Sequence, residues 1–343
     1  MKILVLRFSS LGDIVMTTAM IRCLRKRFPF AQIDMVVRSD FAELIQHNPH
    51  LDQKIVLNRG TGAKGLWELY RRLNRETYDV IYDAHLSLRT LLLMPFLKGN
   101  RKVYFNKHYV ARALALTFKL PLIRGMKRFL ERFIDPLESL GVVYDGLGPE
   151  VFVPADLVVE AHKTFQLEKY PSLVGIIPSA QWPGKRWPEN RFREVLADLL
   201  KTTAHSFVIF GGPKDDFCKV IADGLPTARV LNLQGKANLL QAAAVLQKCE
   251  YVIANDTGLM HLADAVNVPQ VLILGPTSTD LGCAPFHPMS QLAEVALWCR
   301  PCSKNGQAPC IRATRRCLSE VSVDSVVSLA HRVESLRLVP GGL

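Results

Sequence analysis

Short apolar runs alternate with stretches of helical apolar spacing along this 343-residue chain, and the alternation occurs twice. The first series reads KILVL, QIDMVV, KIVLN, YDVIYDA and KVYF; the second reads LVGIIP, HSFVIFGG, ARVLNLQG, YVIAND and PQVLILG. A helix between two strands carries the chain back to the edge where it began, so such strands pair in parallel. The pattern predicts an α/β chain of two doubly wound, Rossmann-like domains facing a central cleft, with ligands at the carboxyl ends of the strands. A Gly and Pro cluster at 144–149 and a break at Tyr170-Pro171 separate the two series. The expected limits are residues 1–152 and 153–320, followed by a helix and tail at 321–343 for which the first domain is a candidate packing partner.

Composition removes several classes. With 49% apolar and 22% charged residues the chain has enough material for sizeable cores, which excludes a disordered or fibrous protein. No run of 18 consecutive apolar residues suggests a membrane span. Met1–Leu6 is too short for a secretory apolar region, and Arg7, Ser9 and Asp13 interrupt any apolar continuation, so a cytoplasmic protein is expected. In that compartment Cys23, Cys218, Cys249 and Cys283 read as small core residues. Cys299, Cys302, Cys310 and Cys317 are spaced C-x2-C-x7-C-x6-C, a spacing open to a structural zinc or to four free thiols.

The net charge of +12 is concentrated in the first half, where residues 1–150 carry 24 Lys and Arg against 14 Asp and Glu. Most of the excess lies in Lys98–Phe133, with ten basic residues and one acid among aromatic and aliphatic side chains. Such a surface suits anionic lipid or a polyanionic glycan. No recognised nucleic-acid-binding motif accompanies it, and no nucleic-acid partner is expected.

Four loops at strand ends carry candidate chemistry, and a fifth offers a weaker signal. In RFSSLGDIV, Ser9, Ser10, Gly12 and Asp13 follow the first strand; Asp13 reads as a cap of the helix Ile14–Leu24 or as a carboxylate aimed at a ligand. The loop lacks G-x-G-x-x-G, which excludes a dinucleotide-dependent oxidoreductase of the usual kind. In IIPSAQWPGKRWPENRF, Ser179, Gln181 and Lys185 leave the sheet, with Lys185 a point charge suited to a diphosphate. In YVIANDTGLMHLADA, Asp256 or Thr257 is the cap candidate, Gly258 permits close backbone approach, and His261 lies in the first turns. YDVIYDAHLSLRT places His85, Ser87 and Arg89 at another strand end, with Arg89 the candidate for an acceptor phosphate or carboxylate. FGGPKDD, the weaker loop, offers Asp215 or Asp216 to a ribose.

Three stretches together, RFSSLGDIVMTTAMIRCLRKRFP, PSAQWPGKRWPENRF and NDTGLMHLADA with VPQVLILGPTS, resemble the ADP-heptose:lipopolysaccharide heptosyltransferases, glycosyltransferase family nine, whose two-domain fold is called GT-B. The resemblance runs from residue 4 to residue 278. It implies an inverting transfer of heptose from ADP-heptose, or another nucleotide sugar, to a lipid-linked Kdo or heptose of the lipopolysaccharide core. It further implies a first domain for the acceptor and a second for the donor. Asp13 would be the base and Lys185 a catalytic and donor-binding lysine. Ser179, Asp256, Thr257, Gly258 and His261 would lie on the donor side, and Ser9, Ser10, Gly12 and Arg89 on the acceptor side. A related transferase moving another activated sugar onto a surface glycan is the alternative. With amide groups and Lys185 to hold the leaving diphosphate, neither a catalytic metal nor a cofactor is expected. The expected place of work is the inner face of the cytoplasmic membrane, touched peripherally by the basic segment.

Overall fold

A computed structural model of the protein describes residues 1–338. It separates into two compact units, one of residues Met1–His108 and Lys127–Phe152, the other of Tyr109–Met126 and the chain from Val153 onward.

The first unit contains β1 (Lys2–Leu6), β2 (Gln32–Arg38), β3 (Gln53–Leu57), β4 (Tyr78–Asp83) and β5 (Gly99–Tyr104), in the order β3-β2-β1-β4-β5. All neighbours are parallel, with Leu4 opposite Asp34 on one side and Ile81 on the other. The central strand is buried on both faces, as its continuous apolar run requires. Strand order reverses between β1 and β4, so the loops after these two strands open side by side at the position where α/β sheets bind ligands. Those loops are Arg7–Ser10 and Ala84–Ser87. Arg22 closes the unit by pairing with Asp145 at 2.8 Å and Glu150 at 2.9 Å.

The second unit contains β6 (Leu173–Ile177), β7 (Ser206–Ile209), β8 (Val230–Asn232), β9 (Tyr251–Asn255), β10 (Gln270–Leu274) and β11 (Gln291–Glu294), in the order β11-β10-β9-β6-β7-β8 and again all parallel. Its reversal falls between β6 and β9. The buried Asn255 side chain joins the two loops there, donating to the Pro178 carbonyl at 2.6 Å and accepting from the Trp187 N–H at 3.2 Å. Trp187 is itself buried against Phe192 and donates its indole N–H to the Val321 carbonyl.

Three features depart from the sequence expectations. Residues Tyr109–Met126 group with the second unit, although they fall inside the 1–152 limits: Ala115 and Ile123 pack on Leu281, and Lys119 donates to the carbonyls of Cys299 and Pro301 at 3.0 and 2.9 Å. The short apolar content of Gln291–Glu294 concealed a sixth strand, β11, which pairs with β10 from Val271 to Leu274. The helix Val323–Leu338 packs in the second unit's own core, through Val326, Ala330 and Val333. The tail residues 339–343 lie outside the described residues.

Because Val326 and Val333 are fully buried in that core, Val326→Ala and Val333→Ala should each destabilise the second unit by about 2 kcal/mol. Urea unfolding monitored by tryptophan fluorescence reads this; unchanged midpoints would contradict the placement of the helix.

Candidate functional site

In the first unit, the helix Leu11–Arg27 begins at Ser10, which adopts the extended conformation of an N-cap with φ −90° and ψ −177°. Ser10, not Asp13, is therefore the cap. Asp13 is the third helical residue, and its Oδ2 accepts from the Ser10 N–H at 3.1 Å and the Ser10 hydroxyl at 2.8 Å. The same oxygen pairs with the guanidinium of Arg7, which is buried and also donates to the Ala84 carbonyl at 2.5 Å. These bonds all converge on Oδ2. Burial alone would push the carboxyl up, but the Arg7 charge and the two bonds from Ser10 outweigh it and hold Asp13 below the usual aspartate range. Gly12 stands buried in the first helical turn and not at a left-handed position.

Beside this pair, the Nδ1 atom of His85 accepts from the Phe8 N–H at 3.4 Å, and the ring meets Phe8 edge-on. Burial, with the Arg7 and Lys107 charges, pushes the imidazole down to about 3, so His85 is neutral. The Asp83 carboxylate accepts from the N–H groups of His85 and Leu86 at 2.9 and 2.8 Å and fixes the turn after β4. Arg89 is exposed in the first turn of the helix Leu88–Leu93, and Ser87 caps that helix. Sequence reading missed Arg7. Its position two residues before the Ser-Ser pair gave no sign that it would turn back into the loop.

In the second unit, Thr257 caps the helix Gly258–Ala265 with φ −146° and ψ 168°. Its side chain makes no capping bond, so the first amide groups of the helix point out of the carboxyl end of β9 without intrahelical partners. Asp256 is not a cap. It is 4% exposed, and its Oδ2 meets Lys185 Nζ at 2.7 Å and accepts from the Thr277 hydroxyl at 2.7 Å. Lys185 is thus a lysine fixed by a carboxylate, and its ammonium has three donors, more than this one contact uses. The sequence brought Lys185, Asp256, Thr257 and Gly258 to one place, but Thr277, inside the VPQVLILGPTS stretch, was given no role there. Ser179 and His261 are both buried, the first just after β6 and the second within the helix. In the Phe210–Asp216 loop, Asp215 Oδ2 accepts from the Gly212 N–H at 2.8 Å while its Oδ1 stands 3.9 Å from Arg186, and Asp216 pairs with Lys219 at 3.0 Å and accepts from Gln234 Nε2 at 3.3 Å, so both acids are already engaged by protein groups.

The eight cysteines are free thiols. Cys302, Cys310 and Cys317 line a cavity of about 210 Å³ with Trp182, Gly184 and Arg315, yet among the described residues no three His, Cys, Asp or Glu side chains are gathered to hold a metal ion. No helix is long and apolar enough to cross a membrane among the described residues.

The fold is shared with solved structures. A glycosyltransferase family 9 protein of Veillonella parvula matches with TM-score 0.80 at 24% identity, covering 97% of this chain and 96% of that one. The E. coli ADP-heptose LPS heptosyltransferase II matches with TM-score 0.77 at 23% identity, covering 99% and 100%. Two Rossmann-like units of this kind are the GT-B fold. The family model for glycosyltransferase family 9 (heptosyltransferase) matches residues 66–312. Lipopolysaccharide heptosyltransferase 2 of Escherichia coli K12 is 30% identical over 310 residues, covering 86% of this chain and 87% of its own length. Lipooligosaccharide heptosyltransferase 2 of Haemophilus influenzae is 29% identical over 292 residues, covering 81% and 84%. The chain belongs to glycosyltransferase family 9, the heptosyltransferases.

If Asp13 is the group that must be ionised, kcat/KM stays flat on its acid side down to the ordinary aspartate range, about pH 4, because its carboxyl lies below the usual value. Ser10→Ala removes one bond to the ionised form and should move that limb upward. A limb near about pH 6 in the native chain would contradict the assignment, since His85 is also neutral there.

Proposed function

We propose that the protein transfers heptose from ADP-heptose, with inversion, to a lipid-linked Kdo or heptose of the lipopolysaccharide inner core, the first unit handling the acceptor and the second the donor. The observation that carries this reading is the Lys185, Asp256 and Thr277 cluster at an open helix start on the carboxyl end of β9. A heptosyltransferase of E. coli solved with ADP-2-deoxy-2-fluoro heptose has the same fold, and the lipopolysaccharide heptosyltransferases 1, 2 and 3 are all relatives of this chain.

The donor chemistry is governed by charge. As the anomeric carbon separates from the diphosphate, negative charge grows on the leaving oxygens. The amide groups at Thr257 and Gly258, aligned with the helix dipole, and the remaining donors of Lys185 stabilise it. Asp256 contributes by holding Lys185 in one orientation, so no reorganisation is required during bond cleavage. Ser179 and His261 belong to the same donor wall.

The acceptor chemistry is governed by acidity. An alcohol oxygen attacking an oxocarbenium-like carbon becomes far more acidic as the bond forms, so a carboxylate of low pKa suffices to remove its proton. Asp13 Oδ1 is the accepting atom, while Oδ2 is retained by Arg7 and Ser10. Ser9, Ser10 and Arg89 are assigned to the acceptor, Arg89 as an exposed guanidinium for its phosphate or carboxylate.

We place the reaction at the inner face of the cytoplasmic membrane. The helix Tyr109–Phe118 and the turn after it leave Val110 and Phe118 73% and 66% exposed, with Leu120, Leu122 and Arg124 beside them. Apolar side chains with basic neighbours suit an anionic lipid surface. Val110→Asp combined with Phe118→Asp should lower the bound fraction on phosphatidylglycerol vesicles in a flotation assay; unchanged binding would contradict this contact.

Turnover of ADP-heptose with a truncated lipid acceptor tests the catalytic reading. Asp13→Asn should lower kcat by about 10²–10⁴ with donor affinity retained. Lys185→Ala should lower kcat by about 10²–10³ and weaken ADP binding. Near-native turnover by either variant would overturn the corresponding role.

A further inference from the structure

The guanidinium of Arg300 makes four hydrogen bonds in the second unit. Nε donates to the Gly275 carbonyl at 2.6 Å and Nη1 to the Val295 carbonyl at 2.5 Å. Nη2 donates to the Thr277 carbonyl at 2.9 Å and the Glu294 carboxylate at 2.7 Å. The side chain is only 6% exposed. One planar fork thus joins the ends of β10 and β11 to the turn Gly275–Thr277.

That turn bears directly on the ion pair. Thr277 is 1% exposed, and its hydroxyl donates to Asp256 Oδ2, the oxygen that meets Lys185. The chain after Arg300 then reaches the other partner. Gly306 has φ +77°, and a Cβ there would lie 2.5 Å from Lys185 Cγ, so its backbone packs directly on the lysine stem. Residues 300–306 therefore touch both sides of the pair, one through Thr277 and one directly.

We propose that Arg300 is a positioning residue for the donor diphosphate site: by holding the Thr277 carbonyl it orients the Thr277 hydroxyl, which keeps Asp256 against Lys185. The inference rests on the donor-site reading above. Arginine is required because four acceptors in different directions are met by one rigid group; a lysine ammonium has three donors on a flexible stem and cannot span them. Thr277 needs a hydroxyl for the same reason, since a buried carboxylate that loses a donor turns to find another.

The test compares Arg300→Lys, Thr277→Val, their combination and Lys185→Ala, with ADP affinity from calorimetry and separate KM values for ADP-heptose and acceptor. Arg300→Lys and Thr277→Val should each weaken ADP binding and raise the donor KM about tenfold, as expected for one lost bond to a charged group, while the acceptor KM holds. The double variant should be no weaker than Thr277→Val, because Arg300 acts through Thr277. Additive losses, or an equal rise in acceptor KM, would assign Arg300 to general stability and overturn the proposal. If Arg300→Lys does not fold, Thr277→Val against Thr277→Ser decides: recovery by serine supports the relay, and an unaffected valine variant refutes it. If Lys185→Ala binds ADP as tightly as the native chain, the donor-site reading itself fails. A loss in Lys185→Ala without any in the Arg300 and Thr277 variants removes only the relay.

Discussion

A buried carboxylate and a lysine, Asp256 and Lys185 at 2.7 Å, set the character of the second unit. An acid at the start of a helix is a poor neighbour for a phosphate when considered alone. Once paired, its role reverses: its charge is matched by the ammonium, and the Thr277 hydroxyl donates to the same oxygen. An uncompensated charge at this depth would be strongly destabilising, so neither partner is free to wander. The pair contributes little net charge. Under the proposed function, attraction for a diphosphate rests on the amides after Thr257 and on the ammonium's other N–H groups.

The first unit solves a related problem with the opposite emphasis. Asp13 has its carboxyl held down by Arg7 and Ser10 against the burial that would raise it. Both donors take one oxygen and leave the other, which is the asymmetry a base needs if it must stay oriented while accepting a proton. Arg7 is in turn fixed by the Ala84 carbonyl and stands 5.4 Å from the Phe133 ring centroid. The strand ends β1 and β4 thereby share one network, with neutral His85 completing it. Asp256 is held by Lys185 and Thr277 from two other loops, whereas Asp13 is held by Arg7 and Ser10 of its own RFSSLGDIV stretch.

The architecture was legible because buried parallel strands need continuous apolar runs, and ten of these stand in the sequence with helices between them. Strand β11 was not, since Gln291–Glu294 is an edge strand with only Ala293 fully buried. The placement of Tyr109–Met126 was hidden for a different reason: composition reports that a segment is basic, not which unit its buried Ala115 and Ile123 meet. At the sites, the candidate residues at strand ends were readable and the contacts that join them were not. Asp13, Lys185, Asp256 and Thr257 sit at strand ends that periodicity locates. Arg7, Thr277 and Arg300 act through contacts that close only when the strands pair, and no local spacing encodes them. Local pattern likewise offered Asp13 as a cap, where the backbone gives that place to Ser10.

A crystal structure of the protein soaked with ADP tests the central claim most directly. The account predicts β-phosphate oxygens within hydrogen-bond distance of Lys185 Nζ and of the Thr257 and Gly258 amides, with the Lys185–Asp256 contact intact. A diphosphate bound instead at the Gly211-Gly212 loop, or Lys185 turned away from it, would contradict the account.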